Sequence, residues 1–313
     1  MCAIINTKFY NGNDSYSEGA IEDELLKIIQ AADTDRLDNG KIDYEKILIN
    51  DNRFSLLYHF SPQRADLLRW FPFNKEQTLL EIGAGCGALT GFFLEQLKRV
   101  VAVDLSLKRS TINFERHKHL PLEIIVGNLN DINIDEKFDF VTLVGVLEYR
   151  KGFSDNDRDS DKDSDKVFFE NIKKYLKDNG TLIIAIENKF GLKYWAGHKE
   201  DHTGKYFDSI EGYKSDESNK SKVETFGLNE LKDLLIDNGF AKLQFYYPYP
   251  DYKFPIELHS EQVQPSIDTL LGSPPNYTGE MMELFSIPHV YQNIIKNRQY
   301  EFFANSFLCV AQK

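Results

Sequence analysis

Five short apolar runs alternate with segments of helical periodicity between residues 78 and 188, and this alternation constrains the fold most strongly. Each run is almost continuously apolar, as strands are when helices cover both faces of a parallel sheet. The runs are TLLEIG (78–83), VVAVDL (100–105), LEIIVGN (122–128), FDFVTLVGV (138–146) and TLIIAIEN (181–188). The pattern predicts an α/β fold with a doubly wound, mostly parallel sheet.

The remaining segments extend this core. Helical spacing predicts helices over 87–97, 107–117, 167–177 and 228–238, and the runs AKLQFYYPYP (241–250) and FANSFLCVAQK (303–313) bring the sheet to seven strands. Residues 1–73 are expected to form a helical N-terminal extension, in which Ser61 caps a helix that begins at Pro62. Residues 74–313 then form the main domain, with insertions at about 188–224 (a substrate loop) and 251–300 (a cover). The charged stretches 154–166 and 214–224 are predicted to be solvated surface loops.

Composition limits the possible partners and the location. The net charge of −12 disfavours a nucleic-acid substrate, because acidic surfaces repel phosphate backbones. The three cysteines have neither pairing nor metal-ligand spacing, which is typical of a reducing compartment. The polar N-terminal stretch does not resemble a signal peptide, and no apolar run approaches the roughly 18 residues of a membrane span. We therefore predict a cytoplasmic protein without a membrane span.

The first apolar run ends in a glycine-rich turn, LLEIGAGCGALTG (79–91). Gly83, Gly85 and Ala88 satisfy the dinucleotide-binding pattern G-x-G-x-x-G/A, and Asp104 follows Gly83 by 21 residues, where a carboxylate accepts hydrogen bonds from ribose hydroxyls. This spacing suits both NAD and S-adenosylmethionine. The turn alone therefore leaves two cofactors open.

Three further features separate the two cofactors. Glu81 precedes the first glycine by two residues, where a carboxylate suits an ammonium group and repels a pyrophosphate. Asn128 and the Leu129 amide follow the third run, where an adenine edge could be bound. The segment GVLEY (145–149) follows the fourth run.

Taken in order, these motifs resemble those of class I S-adenosylmethionine-dependent methyltransferases over about residues 75–247. Asn128 stands where that family often has Asp, and Tyr149 where it often has His. The resemblance implies the Rossmann-like methyltransferase fold and S-adenosylmethionine as cofactor. It places the cofactor against eleven residues: Glu81, Gly83, Ala84, Gly85, Gly87, Asp104, Leu105, Asn128, Leu129, Val144 and Gly145. The segment YHFSPQR is expected to close the cofactor from the N-terminal side, with Tyr58 or Arg64 near its carboxylate, and these two bring the set to thirteen.

The flanking segments carry a narrower resemblance. The segments YHFSPQRADLLRW, AIENKFGLKYWAGHKEDH and FYYPYPDYKFP are similar to bacterial methyltransferases that accompany glycosyltransferases in surface-polysaccharide clusters. This resemblance implies a sugar or glycan precursor as the methyl acceptor and glycosyltransferases as partners. Aromatic side chains are candidates for binding the acceptor: Tyr194, Trp195, Tyr249 and Tyr252 of these segments, and Tyr149 of GVLEY.

Methylation of a hydroxyl group needs a base, and histidine is the commonest one. The segment HKEDH offers His202 as the first candidate and His198 as the second, with Asp201 among the carboxylates that could orient the ring. The two histidines are four residues apart, but no third ligand is evident, so no metal site is predicted.

Three alternatives remain open. The enzyme could methylate a nitrogen or oxygen atom of a small metabolite or natural product. The chain could instead be a non-catalytic, cofactor-binding scaffold, or a dehydrogenase with NAD on the glycine turn. Neither the acceptor nor the oligomeric state follows from the sequence.

Overall fold

A computed structural model describes residues 2–12, 14, 19–37, 41–153, 161–214, 223–266, 268, 270 and 282–313, without the side chains of residues 35 and 161–163. The expected surface loops at 154–166 and 214–224 lie partly outside these residues. The chain forms two compact units. Unit 1 comprises Met1–Leu143 and Glu170–Leu182, and unit 2 comprises Val144–Phe169 and Ile183–Lys313. The domain boundary expected at residue 73 stays a prediction.

Unit 1 is built on a parallel sheet. Its strands are β1 (Ile4–Phe9), β2 (Thr78–Ile82), β3 (Arg99–Asp104), β4 (Leu122–Gly127) and β5 (Phe138–Val144). They lie in the order β1-β4-β3-β2-β5, and every neighbouring pair is parallel. In the register of β2 and β3, Glu81 lies opposite Ala102. Because the strands are parallel, their carboxyl ends meet at one edge, where β2 leads into the glycine turn.

The helices of unit 1 cover this sheet. They are α1 (Ala20–Ala32), α2 (Tyr44–Asn50), α3 (Phe54–Phe60), α4 (Thr90–Gln96) and α5 (Leu107–His117). At the start of α5, the Ser106 hydroxyl accepts a hydrogen bond from the Arg109 N–H and caps the helix. Apolar residues from α1 and α3 pack in one buried cluster with Cys86 of the glycine turn and Ile112 of α5. The N-terminal helices thereby support the turn.

The boundary between the two units falls within α6 (Asp161–Tyr175) and β6 (Leu176–Glu187). Helix α6 begins six residues earlier than the predicted start at residue 167, so residues 161–166 are helical and their prediction as a loop is wrong. Asp165, in the second turn, accepts a hydrogen bond from Arg150 Nε at 2.6 Å, so this charged segment is tied to the rest of unit 2 and is not simply solvated.

In unit 2, the strands lie in the order β6-β9-β7-β8, with β7 (Lys242–Tyr249), β8 (Glu257–Ser260) and β9 (Ser306–Gln312). Strand β7 is antiparallel to both β8 and β9. The helices are α7 (Leu192–Trp195), α8 (Leu228–Asp237), α9 (Ile287–Lys296) and α10 (Tyr300–Phe303). Helix α7 and the polar segment after it follow the carboxyl end of β6.

The α/β class with a mostly parallel sheet is confirmed, with two strands more than the seven predicted. The additional strands are β1 and β8. Strand β1, with the sequence IINTKF, pairs only with β4 and is largely accessible to solvent, so it lacks a continuous apolar run. Ser61 does cap the 3-10 helix Pro62–Leu67, as predicted, by accepting a hydrogen bond from the Gln63 N–H. Among the described residues, no helix has the length and apolarity that crossing a membrane requires.

Candidate functional site

The glycine turn of unit 1 is folded around the end of β3. The N–H groups of Gly83 and Ala84 both donate to the Val103 carbonyl oxygen, at 2.8 and 3.1 Å. The next glycine, Gly85, has φ of +53° and donates its N–H to Asp104 Oδ2 at 2.7 Å. The turn therefore brings its own backbone against the carboxylate expected to bind ribose.

The glycines of this turn are needed for different reasons. A Cβ atom at Gly85 would meet no heavy atom within 4 Å, so the backbone there borders open space. A Cβ atom at Gly87 would lie 2.3 Å from Asn113 Oδ1 and 3.0 Å from the His117 ring. Gly85 thus leaves room for a ligand, whereas Gly87 lets α5 pack closely against the turn.

A buried chain of hydrogen bonds leads from α5 to Glu81 at the end of β2. The Thr90 hydroxyl donates to Glu81 Oε2 at 2.6 Å and accepts from Asn113 Nδ2 at 3.1 Å. Asn113 Oδ1 in turn lies 2.8 Å from His117 Nδ1. The carboxyl group of Glu81 is therefore held in one position by side chains from two helices.

Burial raises the pKa of Glu81 to about 8, against the lowering effect of the Thr90 hydroxyl. A buried carboxyl group with a raised pKa is stabilised in its charged form by a nearby cation. The donor set thus fits the expected cofactor: a carboxyl group for an ammonium group, an open backbone at Gly85 and a second carboxylate for a ribose.

That second carboxylate, Asp104, keeps capacity for further hydrogen bonds. Its two oxygens accept from the N–H groups of Gly85 and Ser106, at 2.7 and 2.9 Å. Since a carboxylate offers about four acceptor positions, two remain for ribose hydroxyls. Leu105 follows directly and is partly buried.

The predicted adenine-binding residues follow β4 in the same unit. Asn128 Oδ1 accepts from the Asn130 N–H at 3.0 Å, and its backbone carbonyl accepts from the N–H groups of Asp131 and Ile132. The Leu129 side chain is buried. The turn after β4 is thus fixed by local hydrogen bonds.

Tyr58 and Arg64, expected at the N-terminal side of the cofactor, lie together in unit 1. The Arg64 guanidinium carbon is 4.4 Å from the centroid of the Tyr58 ring, a cation–π arrangement. In the same unit, Arg116 of α5 donates hydrogen bonds to the backbone carbonyl oxygens of His59 and Cys86. Arg116 therefore links α3 to the glycine turn, a role that sequence reasoning missed because these two partners are backbone atoms distant in sequence.

Val144 and Gly145, the last two of the thirteen, belong to unit 2. Gly145 has φ of +69°, and its N–H donates to the Ala185 carbonyl oxygen at 2.9 Å. A Cβ atom on Gly145 would lie 3.0 Å from the Tyr252 hydroxyl and 3.7 Å from Glu148 Oε1. The glycine therefore lets these two side chains approach the end of β5.

Glu148 belongs to a buried cluster around His202. The ring nitrogen Nδ1 of His202 lies 3.0 Å from Glu200 Oε1, and Nε2 lies 3.5 Å from Glu148 Oε1. The Tyr149 ring packs edge-on against the imidazole, with centroids 5.6 Å apart. Burial disfavours a charged ring, but Glu148 and Glu200 outweigh it and raise the pKa of His202 to about 11.

A further carboxylate, that of Glu187 at the end of β6, also belongs to this cluster. Its Oε1 accepts hydrogen bonds from Tyr252 and Lys253. Burial raises the pKa of Glu148, whereas Lys253 acts against burial and lowers the pKa of Glu187. One ligand atom from each of Glu148, Glu187 and His202 lies within 4.8 Å of the others.

Asp201 is held by lysines and does not contact the His202 ring through any hydrogen bond among the described residues. Its Oδ2 accepts from Lys193 at 2.6 Å and from the Tyr194 hydroxyl at 2.9 Å. Lys193 and Lys253 keep the pKa of Asp201 well below its usual range, despite burial. The carboxylate that orients His202 is therefore Glu200.

The other predicted residues lie apart from these contacts. His198 donates its backbone N–H to Lys193, and burial lowers the pKa of its side chain. Trp195 is 38% exposed and donates to the Phe190 carbonyl oxygen. Tyr249 is buried against Tyr291, with ring centroids 6.0 Å apart. Of the five predicted aromatic residues, Tyr149 and Tyr252 contact the His202 cluster directly.

Sequence reasoning missed Glu148, Glu187 and Lys253 as site residues. Glu187 ends β6, and Glu148 lies in the 3-10 helix Leu147–Phe153 that begins shortly after β5 ends at Val144. A charged residue at or shortly after the end of a strand is the signal that would have found them. Lys253 lies in a segment without such a pattern.

Part of the chain is similar in sequence to known methyltransferases. Residues 80–184 match the family described as methyltransferase domain. An uncharacterized methyltransferase of Staphylococcus carnosus (strain TM300) is 27% identical over 175 residues, which cover 56% of this chain and 75% of that protein.

Solved structures give similar matches. A SAM-dependent methyltransferase from Archaeoglobus fulgidus is 14% identical with a TM-score of 0.47, and the match covers 87% of this chain and 100% of the other. Phosphoethanolamine N-methyltransferase 2 of Haemonchus contortus, solved with phosphomonomethylethanolamine and S-adenosylhomocysteine, is 16% identical with a TM-score of 0.44. That match covers 80% of this chain and 52% of the other.

Proposed function

We propose that this S-adenosylmethionine-dependent methyltransferase methylates a hydroxyl group of a sugar or glycan precursor. The enzyme class and the cofactor were predicted from the sequence motifs, and both predictions are confirmed. The identity of the acceptor is the proposal. The observation that carries it is the buried cluster of Glu148, Glu187 and His202, which offers polar groups for binding and activating a hydroxyl group.

Unit 1 is proposed to bind the cofactor. Glu81 pairs with the ammonium group, the Gly85 backbone faces the open space beside it, and Asp104 accepts hydrogen bonds from the ribose hydroxyls. Asn128 and the Leu129 amide bind the adenine edge. When bound, the cofactor supplies a methyl group whose bond to sulfur breaks as the bond to the acceptor oxygen forms, with the electron pair left on sulfur.

Unit 2 is proposed to bind and activate the acceptor. His202 acts on the hydroxyl group, either by taking its proton or by presenting Nε2 to a cation that polarises it. Glu200 fixes the orientation of the ring in both cases. Since Glu148 and Glu200 raise the pKa of His202, the first role requires the ring to release its own proton to solvent before it takes the proton of the hydroxyl group.

Two features support a polyhydroxylated acceptor. Glu148 and Glu187 are carboxylates with acceptor positions for hydroxyl groups, and the Tyr149 ring beside His202 provides an aromatic face. The association with glycosyltransferases depends on the sequence resemblance alone and remains part of the proposal.

A second candidate is methylation of an amine or hydroxyl group on a small metabolite. The same pair of buried carboxylates favours it, because carboxylates also bind a protonated amine. Labelled S-adenosylmethionine should be incubated with panels of nucleotide sugars, free glycans and amines. Transfer to sugars supports the proposal, and transfer to amines alone replaces it with the second candidate.

The role of His202 is tested in the same assay. His202→Ala should lose transfer while it retains binding of S-adenosylhomocysteine, since the ring belongs to unit 2 and the proposed cofactor residues Glu81 and Asp104 belong to unit 1. His289→Ala is a matched control, because that histidine is outside the cluster and its helix, α9, does not contribute to it. Undiminished transfer by His202→Ala would remove His202 from the mechanism.

A further inference from the structure

We propose that Glu148, Glu187 and His202 form a binding site for a divalent cation. This inference relies on the proposed function only for the role of the cation, and the binding itself stands on the geometry of unit 2. His198 and His202 are four residues apart in sequence, and no third metal ligand is evident beside them in the chain. The fold supplies two ligands from distant positions in the chain.

The three residues come from separate segments that the fold brings together. Glu148 follows β5, Glu187 ends β6, and His202 lies in the loop after α7. A carboxylate oxygen from each glutamate and a ring nitrogen of His202 lie within 4.8 Å of one another. Carboxylate and imidazole ligands bind a transition metal at about 2.0–2.2 Å, so the three side chains would have to close in slightly around a bound ion.

Two carboxylate oxygens of the cluster have no hydrogen-bond partner among the described residues. They are Glu148 Oε2 and Glu187 Oε2, which accept no hydrogen bond even though water cannot reach them, since each residue is only 1% exposed. A buried carboxylate oxygen without a partner is unfavourable unless a cation or a hydrogen-bond donor compensates it. A cation that binds both glutamates would satisfy both atoms.

The histidine is already oriented as a metal ligand. Its Nδ1 is hydrogen-bonded to Glu200 Oε1, which directs Nε2 toward Glu148. Glu200 is itself fixed, because its Oε2 accepts from the N–H groups of His202 and Thr203. A carboxylate behind the distal nitrogen is the usual arrangement around histidines that bind metals, where it fixes the tautomer.

The charged side chains around the proposed ligands carry a net negative charge that a divalent ion can neutralise. Four carboxylates, those of Glu148, Glu187, Glu200 and Asp201, face two lysines. The lysines are Lys193 and Lys253, which form ion pairs with Asp201 and Glu187. With a neutral, metal-bound imidazole, two negative charges remain uncompensated. A divalent cation neutralises them.

The donor set of two carboxylates and one imidazole contains no thiolate, which favours Mn²⁺ or a similar divalent ion over soft metals. Bound there, the ion would polarise the acceptor hydroxyl and lower its pKa. The oxygen–carbon bond then forms as the carbon–sulfur bond breaks, and the hydroxyl proton passes to solvent. His202 is a ligand in this scheme and does not take the proton.

The site is tested by adding Mn²⁺ to the full chain and following bound ion by electron paramagnetic resonance. We expect one saturable Mn²⁺ per chain. Glu148→Gln and Glu187→Gln should each weaken binding at least about tenfold, since even residues that only support a metal ligand contribute 10- to 100-fold to affinity. Glu257→Gln is the matched control, because Glu257 also pairs with a histidine, His259, outside the cluster. Binding of S-adenosylhomocysteine by each variant shows that it is folded.

The outcomes separate this inference from the proposed function. Absence of bound Mn²⁺, or equal affinity in wild type and Glu187→Gln, would show that the cluster is an internal ion-pair network only. Full methyl transfer in the presence of a chelator would also overturn the cation site while it leaves the proposed function intact. Saturable Mn²⁺ binding without transfer to any acceptor would retain the site and remove the proposed function.

Discussion

The backbone N–H of Gly85 donates a hydrogen bond to the Asp104 carboxylate at 2.7 Å, across the ends of two adjacent parallel strands. This contact joins the glycine turn after β2 to the acidic residue at the end of β3. A cofactor that binds to Asp104 therefore also lies against the turn. Changes at either residue should affect cofactor binding.

Asp104→Asn should weaken cofactor binding strongly. The amide has only one acceptor oxygen where the carboxylate serves two N–H groups and the proposed ribose, and a hydrogen bond to a charged group contributes about 1.5–3 kcal/mol. We expect the dissociation constant for S-adenosylhomocysteine, measured by calorimetry, to rise by about 10- to 100-fold. Asp131→Asn, in the turn after β4, is the control and should bind normally.

Gly85→Ala should mainly weaken cofactor binding, whereas Gly87→Ala should mainly lower the free energy of unfolding. Both positions have positive φ, which costs an alanine about 1–2 kcal/mol. Gly87→Ala additionally forces Cβ into Asn113, so its loss of unfolding free energy should be clearly larger. Gly85→Ala should be the milder variant in urea unfolding but the weaker binder of S-adenosylhomocysteine. Equal stability of the two variants would contradict the packing role given to Gly87.

Cofactor binding should release a proton from Glu81. Burial raises its pKa to about 8, so at pH 7 the carboxyl group of the ligand-free chain is mostly protonated. An ammonium group beside it favours the ionised form, and about one proton per cofactor should be released. Calorimetry in buffers of different ionisation enthalpy measures this proton. The release should vanish above pH 9 and in Glu81→Gln, and identical release by that variant would mean that another group titrates.

Acid should destabilise unit 1 through its buried histidines. Burial lowers the pKa of His117 and of His59 to about 3, whereas an unfolded histidine titrates near 6.5. Below pH 6.5 the unfolded chain binds more protons, so the stability due to each neutral ring is lost as pH falls toward 3. Each contributes a slope of up to about 1.4 kcal/mol per pH unit.

His117→Gln removes one of these two groups and should make the free energy of unfolding, measured in urea between pH 7 and 5, less dependent on pH. His119→Gln is the control, since that side chain is 56% exposed. A slope unchanged by His117→Gln would show that His117 is not neutral in the folded chain.

The sequence predicted the parallel sheet and the tight glycine turn well because both depend on local patterns. The run TLLEIG and the spacing of Gly83, Gly85 and Asp104 identify a strand, a tight turn and a carboxylate without any long-range information. Strand β1 was missed because an accessible edge strand needs no apolar run. Its place in the sheet depends on pairing with β4, more than a hundred residues later.

The cluster in unit 2 could be predicted only in part. His202 was found from the composition of the segment HKEDH, but its neighbours Glu148 and Glu187 are 54 and 15 residues away in sequence. Which of Glu200 and Asp201 orients the ring depends on the turn that the loop adopts. In that turn the Glu200 carboxylate accepts hydrogen bonds from two backbone N–H groups, while the Asp201 carboxylate accepts one from Lys193.

Whether the turn around Gly85 and Asp104 binds S-adenosylmethionine is measured by calorimetric titration of the full chain with S-adenosylhomocysteine and with NAD. We expect saturable binding of S-adenosylhomocysteine at one site per chain, weakened by Asp104→Asn, and no heat with NAD. Binding of NAD without binding of S-adenosylhomocysteine would contradict this expectation.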